Sequence, residues 1–515
     1  MPPPLLRLHP DDNIAVALCD LSAGTTLSVD GGTSLVLHDT VPTGHKIALH
    51  DLLEGSVVKK YGEVIGRTTC DVPQGSWVHS HNLENPPRPS SSPPLPAVVP
   101  EPRSLSQATF QGYVRADGSV GTRNYIAVIA SVNCSATVAH AVAERFPRDR
   151  LAEWPSVDGV LALTHHGGCG LPRGGIQWNY LSRVLGGMSR HPNIAAALVI
   201  GLGCEQLTAQ DLVQISCPSG QAGEPPSRPA RLRNTLVMQE TGGTEATIDA
   251  AERIIGEWLP RVGALQRETT PASALVVATE CGGSDAFSGI TANPAVGHAV
   301  DRLIACGGTA VLSETPEVVG AEQTLLRRAV SDEVRRSLIE RIEWWEWYAG
   351  VFGAKLDHNP SVGNKAGGLT TIAEKSLGAV LKGGSTPLKS VVGYGEPVPR
   401  GGLVFMDTPG FDPPSVTGMV AGGANLVLFT TGRGSCFGAT AAPTIKIATN
   451  SKLARAMPGD IDIDAGVILG GRSPDYVGEE IFQAILRVAS GEPTSSERLG
   501  YGRHEFVPWA IGPVL

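Results

Sequence analysis

Short apolar runs, each followed by a polar loop rich in glycine, recur along the chain between residues 110 and 450. Continuous apolar runs that alternate with helical periodicity predict parallel strands whose two faces are both covered by helices. The predicted buried strands are residues 125–130, 159–163, 194–200, 273–279, 309–312, 402–406, 425–429 and 444–448. This pattern predicts an α/β fold with mainly parallel sheets, in which ligands bind beyond the carboxyl ends of the strands.

The beginning of the chain has a different pattern. Short alternating stretches, such as residues 14–18 and 56–61, are separated there by turns that contain glycine. Such stretches predict a small domain built mainly of β-strands. Its last predicted strand carries His79 and His81, and the period-two spacing places both side chains on the same face.

A proline-rich segment follows this β domain and predicts a linker, because its prolines exclude a helix or a central strand. The chain is therefore expected to have a β-rich domain at residues 1–83 and a linker at residues 84–109. A first α/β domain is expected at residues 110–325, and a second α/β domain that completes the site at residues 326–515. We further expect a surface insertion at residues 217–227 and a charged helix at residues 326–348.

Composition narrows the class of ligand. The chain has 515 residues with 41 Lys and Arg against 50 Asp and Glu, and the net charge of -9 argues against nucleic acid and acidic membranes as partners. No segment approaches the roughly 20 apolar residues of a membrane span. The nine cysteines are odd in number and form no dense pattern, which fits a reducing compartment. We expect a soluble, cytoplasmic protein with a small-molecule ligand, and we consider a homo-oligomer.

Three cysteines occupy equivalent places after predicted strands: Cys134, Cys169 and Cys204. A common sheet edge would bring them toward one crevice, where they could hold a metal. The alternative is that each is a small buried hydrophobe. His165 and His166 accompany Cys169 in a glycine-rich loop, which favours a functional loop, although adjacent histidines point in different directions.

Two further groups are candidates for chemistry. His79 and His81 have a spacing that suits two metal ligands, or one ligand and one proton carrier, and the alternative is a solvated strand end. Arg433 lies between glycines after a predicted strand, where it can bind a carboxylate, and Lys365 offers a second cation. No GxxxxGK[ST] motif is present and no GxGxxG opens the first βα unit, so an anionic ligand other than a nucleotide is expected.

Residues 280–289 form the most distinctive loop. A buried strand ends there in a segment that contains Gly282, Gly283, Ser284 and Asp285. Paired glycines allow a ligand to approach the backbone closely, and the polar side chains can bind it. We expect this loop to form one wall of the ligand site.

Four long motifs, at residues 112–124, 281–295, 359–369 and 429–434, resemble those of the altronate and galactarate dehydratases. The likeness covers essentially the whole chain, and the first domain is similar to the SAF-type module of that family. The resemblance implies an enzyme that depends on a divalent metal, usually Fe²⁺, and converts an acyclic sugar acid to a 2-keto-3-deoxy acid. An α-proton is abstracted, the β-hydroxyl departs, and a cation stabilises the enediolate.

With that resemblance, each candidate residue receives an expected role. The expected metal ligands are His79, His81, Cys134, Cys169 and Cys204. The expected catalytic residues are His165, His166, Asp285, Ser284 and Lys365. The expected substrate-binding residues are Arg433, Gly282, Gly283, Asn364 and Arg123.

The substrate is expected to be galactarate or altronate. A related alternative is a lyase that expels sulfite from a sulfonated hydroxy acid, and an alternative of another class is a sensor that binds a sugar acid without turnover. A further alternative makes Cys134, Cys169 and Cys204 the ligands of an iron–sulfur cluster with one open iron.

Overall fold

The computed structural model describes residues 3–29, 33–87, 108–215 and 231–511. The N-terminal part contains short antiparallel strands in three small sheets, with the orders β1-β2-β5-β8, β3-β4 and β6-β7-β9. The strands are β1 (Leu5–Leu6), β2 (Ile14–Ala17), β3 (Thr26–Val29), β4 (Thr33–Val36), β5 (Lys46–Ala48), β6 (Val57–Lys60), β7 (Glu63–Thr68), β8 (Trp77–Val78) and β9 (Leu83–Glu84). The predicted β-rich first domain is confirmed.

The middle part is built on a four-stranded parallel sheet with the order β13-β12-β14-β15. Its strands are β12 (Tyr125–Ala130), β13 (Gly159–Leu163), β14 (Ile194–Gly201) and β15 (Leu232–Val237). A separate antiparallel sheet, in the order β11-β10-β16, consists of β10 (Thr109–Val114), β11 (Val120–Gly121) and β16 (Glu268–Pro271). The helices are α1 (Ala136–Glu144), α2 (Ile176–Arg190), α3 (Ala209–Ile215), α4 (Met238–Thr241) and α5 (Thr244–Gly263).

The C-terminal part has a seven-stranded parallel sheet with the order β19-β20-β18-β17-β21-β22-β23. Its strands are β17 (Val276–Cys281), β18 (Thr309–Leu312), β19 (Leu388–Val392), β20 (Gly402–Met406), β21 (Leu426–Thr431), β22 (Thr444–Ala448) and β23 (Ile463–Asp464). The helices are α6 (Ala292–Ala305), α7 (Glu322–Leu326), α8 (Asp332–Val351), α9 (Val362–Ala366), α10 (Ile372–Ala379), α11 (Asp412–Ala421), α12 (Ser451–Ala456), α13 (Pro474–Ala489) and α14 (Ser495–Leu499). Short 3-10 turns lie at Asn133–Ser135, Ala272–Ala274, Thr315–Val318, Leu356–His358, Val380–Gly383 and Ala465–Gly470.

The expected α/β fold with mainly parallel sheets is confirmed, but the strands are shared differently between the sheets. The strands β17 and β18, which the sequence pattern groups with the first α/β region, pair with β21 and β20 in the seven-stranded sheet. Apolar runs identify buried strands without identifying their partners, which explains the difference. The strand β17 begins later than predicted, at Val276, because residues 272–274 form a 3-10 turn, and it continues to Cys281. The expected insertion at 217–227 lies outside the described residues.

The charged helix expected at residues 326–348 begins later, at Asp332, and continues to Val351. The Ser331 hydroxyl accepts a hydrogen bond from the Val334 amide and caps the helix. Its buried Trp345 stacks on Trp509 at a ring distance of 5.0 Å, so this aromatic group packs inside the fold. Among the described residues, no helix is long and apolar enough to cross a membrane.

A buried charge group joins the N-terminal domain to the C-terminal part. The Glu374 carboxylate of α10 accepts hydrogen bonds from Lys46 Nζ at 2.8 Å and from Lys60 Nζ at 2.8 Å. The Lys46 ammonium also donates to the Gly368 carbonyl at 2.7 Å. All three charged side chains are fully buried, so the ion pairs between them must replace the hydration that each charge has lost.

We predict that Glu374→Gln lowers the free energy of unfolding by about 3–5 kcal/mol, because it leaves two buried ammonium groups without their anion. The measurement is urea denaturation, together with limited proteolysis of the N-terminal domain. Glu252→Gln is the matched control, because the partners of Glu252 are the exposed Arg145 and Arg150, and it should cost less than about 1 kcal/mol. Equal effects of the two variants would contradict the prediction.

A second junction joins the two parallel sheets through His191, at the end of α2. Its Nε2 lies 2.9 Å from the Ala424 carbonyl, and its Nδ1 accepts a hydrogen bond from the Asn193 amide at 3.1 Å. The Nδ1 atom must therefore be unprotonated, and the imidazole is neutral. Burial lowers the pKa of His191 from 6.5 to about 4.

This junction should make the fold sensitive to acid. Between pH 6.5 and about pH 4 the unfolded chain protonates His191 while the folded chain does not, so stability falls as the pH falls through this window. The loss reaches on the order of 3 kcal/mol. Unfolding measured at several pH values should show that the free energy of unfolding falls less steeply with decreasing pH in His191→Asn than in the control His504→Asn, whose site is exposed. Parallel profiles for the two variants would contradict this assignment.

Candidate functional site

Acidic side chains meet at the carboxyl edge of the seven-stranded sheet. Glu280 and Cys281 end β17, Glu314 and Glu317 follow β18, and Asp412 begins α11 after β20. These three strands are neighbours in the sheet, in the order β20-β18-β17, so their carboxyl ends deliver the side chains to one place. Glu280, Glu314 and Glu317 are buried, with exposed fractions of 0%, 1% and 1%.

Two lysines neutralise part of this charge. Lys382 Nζ lies 2.8 Å from Cys281 Sγ and 2.8 Å from Glu314 Oε2. Lys375 Nζ, from α10, donates to Glu317 Oε1 at 2.6 Å and to Asn359 Oδ1 at 2.9 Å. The cluster of Glu280, Cys281, Glu314, Glu317, Lys375, Lys382 and Asp412 is called the charged cluster below.

A cavity of about 470 Å³ opens onto the charged cluster. This volume is in the range of small-molecule sites. The groups on its wall include a thiol, carboxylates, amides and an ammonium, contributed by Cys281, Glu317, Asn359, Asn364, Lys375 and Asp412. The wall therefore offers both hydrogen-bond donors and acceptors to a polar ligand.

The electrostatics of the charged cluster favour protons or cations. Burial and the negative charge of Glu314 raise the pKa of Glu280 well above its usual value. Burial, together with the charges of Glu314 and Glu317, raises the pKa of Asp412 to about 7. Burial alone would lower the pKa of Lys382, but the charges of Cys281 and Glu314 outweigh it and raise that pKa.

The charged cluster also has the donor atoms of a metal site. Within the described part of the chain, the ligand atoms of Cys281, Glu314 and Glu317 lie within 4.8 Å of one another, and so do those of Glu280, Glu314 and Asp412. Glu280 Oε2 accepts a hydrogen bond from Ser415 Oγ at 2.8 Å, whereas its buried Oε1 has no partner among the described atoms. A buried carboxylate oxygen without a partner is costly, and a bound cation would satisfy it.

The loop after β17 joins this site to two other loops. The Gly283 carbonyl accepts hydrogen bonds from the amides of Gly432 and Arg433, both at 3.0 Å, and the Ser284 carbonyl accepts from Asn364 Nδ2 at 2.8 Å. A Cβ atom at Gly282 would lie 2.3 Å from the Phe429 ring and 2.5 Å from a carboxylate oxygen of Asp412, so only glycine fits there. Of the residues expected to bind substrate, Gly283 and Asn364 reach the cavity wall.

Asp285 acts mainly on the loop itself. Its carboxylate accepts hydrogen bonds from Thr449 Oγ1 at 3.0 Å and from the amides of Phe287 and Ser288, also at 3.0 Å. These bonds hold the 284–288 turn against β22. The neighbouring Ser284 hydroxyl is buried and has no hydrogen-bond partner among the described residues. The catalytic roles expected for Asp285 and Ser284 stay predictions.

The three cationic residues expected at the site differ in burial and in their contacts. Arg433 is exposed, and Lys365 is half-buried in α9. Arg123 is buried, donates to Glu497 Oε1 at 2.6 Å and to the Val488 carbonyl at 2.8 Å, and thereby joins the middle part to α13 and α14. Its contacts give it a structural role, and its expected role in substrate binding stays a prediction.

The histidines of the N-terminal domain lie in an aromatic group. His79 stacks on Trp77 at a ring distance of 5.2 Å, and His81 lies 5.2 Å from the same ring. Trp77 Nε1 donates to His45 Nδ1 at 3.1 Å, and His45 Nε2 lies 3.4 Å from the Ala366 carbonyl. Burial lowers the pKa of His79 to about 4, so its imidazole is neutral at pH 7 and remains available as a ligand.

The remaining expected residues lie at the edge of the four-stranded sheet. His165 is buried and His166 exposed, and burial lowers the pKa of His165 to about 4. Cys134, Cys169 and Cys204 are free and exposed. The structure thus divides the five expected metal ligands into a histidine pair in the N-terminal domain and a cysteine group on the middle sheet.

Sequence reasoning missed most of the charged cluster. Glu280 and Cys281 stood at the start of the distinctive loop without an assigned role, and Glu314 and Asp412 follow predicted strands. The same rule that selected Cys134 and Arg433, a polar residue just after a buried strand, would have selected them. Lys375 and Lys382 had no such signal, because they reach the site from a helix and a 3-10 turn.

Comparison with known proteins agrees with this architecture. Three family models match: the altronate/galactarate dehydratase SAF domain at residues 3–86, the D-galactarate dehydratase/altronate hydrolase second domain at 112–263, and the D-galactarate/altronate dehydratase C-terminal domain at 272–514. The matched boundaries agree with the division of the sheets.

Curated relatives cover nearly the whole chain. Galactarate dehydratase (L-threo-forming) of Escherichia coli K12 is 38% identical over 504 residues, which are 96% of this chain and 94% of that protein. Altronate dehydratase of the same organism is 37% identical over 495 residues, 96% of each chain. The (2R)-sulfolactate sulfo-lyase subunit beta of Chromohalobacter salexigens is 33% identical over 415 residues, 78% of this chain and 97% of that subunit. The chain therefore belongs to the galactarate/altronate dehydratase family, whose galactarate and altronate dehydratases are hydro-lyases.

Proposed function

We propose that the protein dehydrates an acyclic sugar acid, galactarate or altronate, to a 2-keto-3-deoxy sugar acid. The observation that carries this proposal is the charged cluster on the wall of a 470 Å³ cavity, in a chain of this family. An α-hydroxy acid loses its α-proton only if the developing enediolate is stabilised by positive charge. The charged cluster combines ammonium groups, carboxylates and a set of metal-ligand atoms at one place.

A divalent cation fits the charge of this site. The four carboxyl groups of the charged cluster face two ammonium groups, so full ionisation leaves two negative charges. Glu280, Glu314 and Asp412 would hold the ion, and the free Oε1 atom of Glu280 would gain its missing partner. The nearby Cys281 thiol favours a borderline ion such as Fe²⁺ over Mg²⁺ or Ca²⁺. The bound ion would supply Lewis acidity toward the substrate carboxylate or hydroxyl oxygens.

The pair of Glu317 and Lys375 supplies the proton-transfer groups on the cavity wall. The Glu317 carboxylate can accept the α-proton, and the Lys375 ammonium can donate a proton to the departing β-hydroxyl. The charges of Glu317 and Cys281 outweigh burial and raise the pKa of Lys375, which keeps it protonated. Asn359 holds both partners, since its Nδ2 donates to Glu317 Oε1 at 2.9 Å and its Oδ1 accepts from Lys375.

The other expected site residues keep supporting roles in this proposal. Asn364, Gly282, Gly283 and Ser284 would shape the backbone around the substrate, because Gly283 and Asn364 lie on the cavity wall and Gly282 and Ser284 adjoin them. The residues that line this cavity do not include His79, His81, Lys365 or Arg433, and the roles expected for these four stay predictions. A cytoplasmic location and a homo-oligomer stay predictions from the sequence.

The first prediction from the proposed function concerns turnover. The purified, iron-supplied protein should form a 2-keto acid from galactarate or altronate and release no sulfite from sulfolactate, measured side by side across a panel of sugar acids. Sulfite release without sugar-acid turnover would favour the sulfo-lyase, an activity carried by one of the relatives. Saturable binding of a sugar acid without any product would instead favour the sensor.

The second prediction concerns Lys375. Lys375→Met preserves the length of the side chain and removes its ammonium, so kcat should fall by about 10²-fold or more while the fold persists. Lys355→Met is the matched control, because Lys355 is exposed and precedes the 3-10 turn Leu356–His358 that leads to Asn359, and it should keep the wild-type rate. A normal kcat in the Lys375 variant would place the proton transfer elsewhere.

The third prediction concerns the metal. Chelation should abolish turnover, and Fe²⁺ should restore it better than Mg²⁺. Glu280→Gln should weaken metal binding by at least about tenfold, measured by calorimetric titration with Mn²⁺ as an air-stable probe. His81→Asn serves as the comparison, since the N-terminal histidines would be the ligands under the sequence-based assignment. Loss of metal in His81→Asn with normal binding in Glu280→Gln would move the site to the N-terminal domain.

A further inference from the structure

Three exposed cysteines lie together on the middle sheet, apart from the charged cluster. Cys134 is in the 3-10 turn after β12, Cys169 is in the loop after β13, and Cys204 comes three residues after β14 ends. These strands are neighbours in the order β13-β12-β14 and run parallel. Their carboxyl ends therefore bring the three cysteine loops to one stretch of the sheet edge.

Hydrogen bonds between these loops define their relative positions. The Asn133 amide donates to the Gly167 carbonyl at 3.0 Å, and Asn133 Nδ2 donates to the His165 carbonyl at 3.1 Å, which joins the first loop to the second. The Gln206 amide donates to the Cys169 carbonyl at 3.2 Å, which joins the second loop to the third. The arrangement is thus built by backbone contacts and needs no disulfide.

The side chain of Glu205 adds to this framework. Its Oε1 accepts a hydrogen bond from Ser131 Oγ at 2.8 Å, and its Oε2 accepts from the amides of Gly203 and Cys204 at 2.8 Å and 3.0 Å. Glu205 is itself buried, so this carboxylate is committed to holding the Cys204 loop against β12. Burying a carboxylate is costly, and the hydrogen bonds of Glu205 use it to fix the position of Cys204.

The thiols are close to one another and open to solvent. The Cys169 and Cys204 side chains interact directly, and Cys134 is near enough to act on Cys204 electrostatically. All three are free and exposed, which excludes the simple alternative of small buried hydrophobes. A Cβ atom built at Gly168 or Gly170 would meet nothing within 4 Å, so there is room beside Cys169.

The spacing of the sulfur atoms bears on the kind of metal centre that the cysteines could hold. In a tetrahedral zinc site with Zn–S bonds of about 2.3 Å, the sulfur atoms are roughly 3.8 Å apart. Among the described residues, the groups whose ligand atoms all lie within 4.8 Å of one another do not include these three thiols. At least one of the three sulfur–sulfur distances is therefore longer than 4.8 Å, and a cluster in which each cysteine binds a different iron can span it.

We propose that Cys134, Cys169 and Cys204 bind a [4Fe–4S] cluster, with one cysteine on each of three irons and the fourth iron free of cysteine. Binding exchanges three exogenous thiolate ligands of a preformed cluster for the three cysteine thiolates, so no net oxidation or reduction is involved. The fourth iron would keep its exogenous ligand. This inference concerns residues outside the charged cluster, and its outcome does not depend on the proposed dehydration.

The test is anaerobic transfer of a [4Fe–4S] cluster, preformed with small-molecule thiolates, to the full-length protein, followed by desalting. The expected result is about four iron and four sulfide per chain, the broad visible absorption of such clusters, and an EPR signal after reduction. Cys134→Ser, Cys169→Ser and Cys204→Ser should each lower the retained iron to below about one per chain. Circular dichroism of each variant verifies that it is folded.

Cys19→Ser and Cys70→Ser are the matched controls, because both cysteines are exposed and lie in the N-terminal domain. Both variants should retain the full cluster. Zinc bound one-to-one without sulfide would overturn the proposal in favour of a mononuclear site. Failure of the wild-type protein to retain iron and sulfide, or equal retention by the loop and control variants, would overturn it as well.

Discussion

The structure depends on how buried charges are paired at the end of β17. Four carboxyl groups and two ammonium groups meet there, out of contact with most of the solvent. An ion left unpaired in such an environment costs several kcal/mol, so each strand end and helix that contributes to the charged cluster must be held in place. The parallel sheet meets this demand, because neighbouring strands end at the same edge.

The helix α10 connects this site to the N-terminal domain. Its consecutive residues Glu374 and Lys375 have different partners: Glu374 binds Lys46 and Lys60, whereas Lys375 binds Glu317 and Asn359. Docking of the N-terminal domain and formation of the charged cluster therefore depend on the same turn of helix. This arrangement couples the small β domain to the site, and it places that domain's His45 beside the 364–368 loop.

Much of the fold could be predicted from the sequence, because apolar runs such as 125–130 and 402–406 mark buried strands almost to the residue. Which sheet a strand joins could not be predicted, since β17 and β18 have the same pattern as β12 and β14. The convergence of Cys134, Cys169 and Cys204 followed from their equivalent positions after strands. Lys375 and Lys382 were not predicted, because their contacts with Glu317 and Glu314 arise from packing between segments far apart in the chain.

The proposed dehydration requires that a divalent metal and the substrate carboxylate meet at the charged cluster. Anomalous diffraction at the iron edge, from anaerobic crystals soaked with Fe²⁺ and a non-reactive sugar-acid analogue, tests this claim most directly. We predict an iron peak bounded by Glu280, Glu314 and Asp412, with the analogue's carboxylate in the cavity beside Lys375. Iron bound only by His79 and His81, with the analogue away from Lys375, would contradict it.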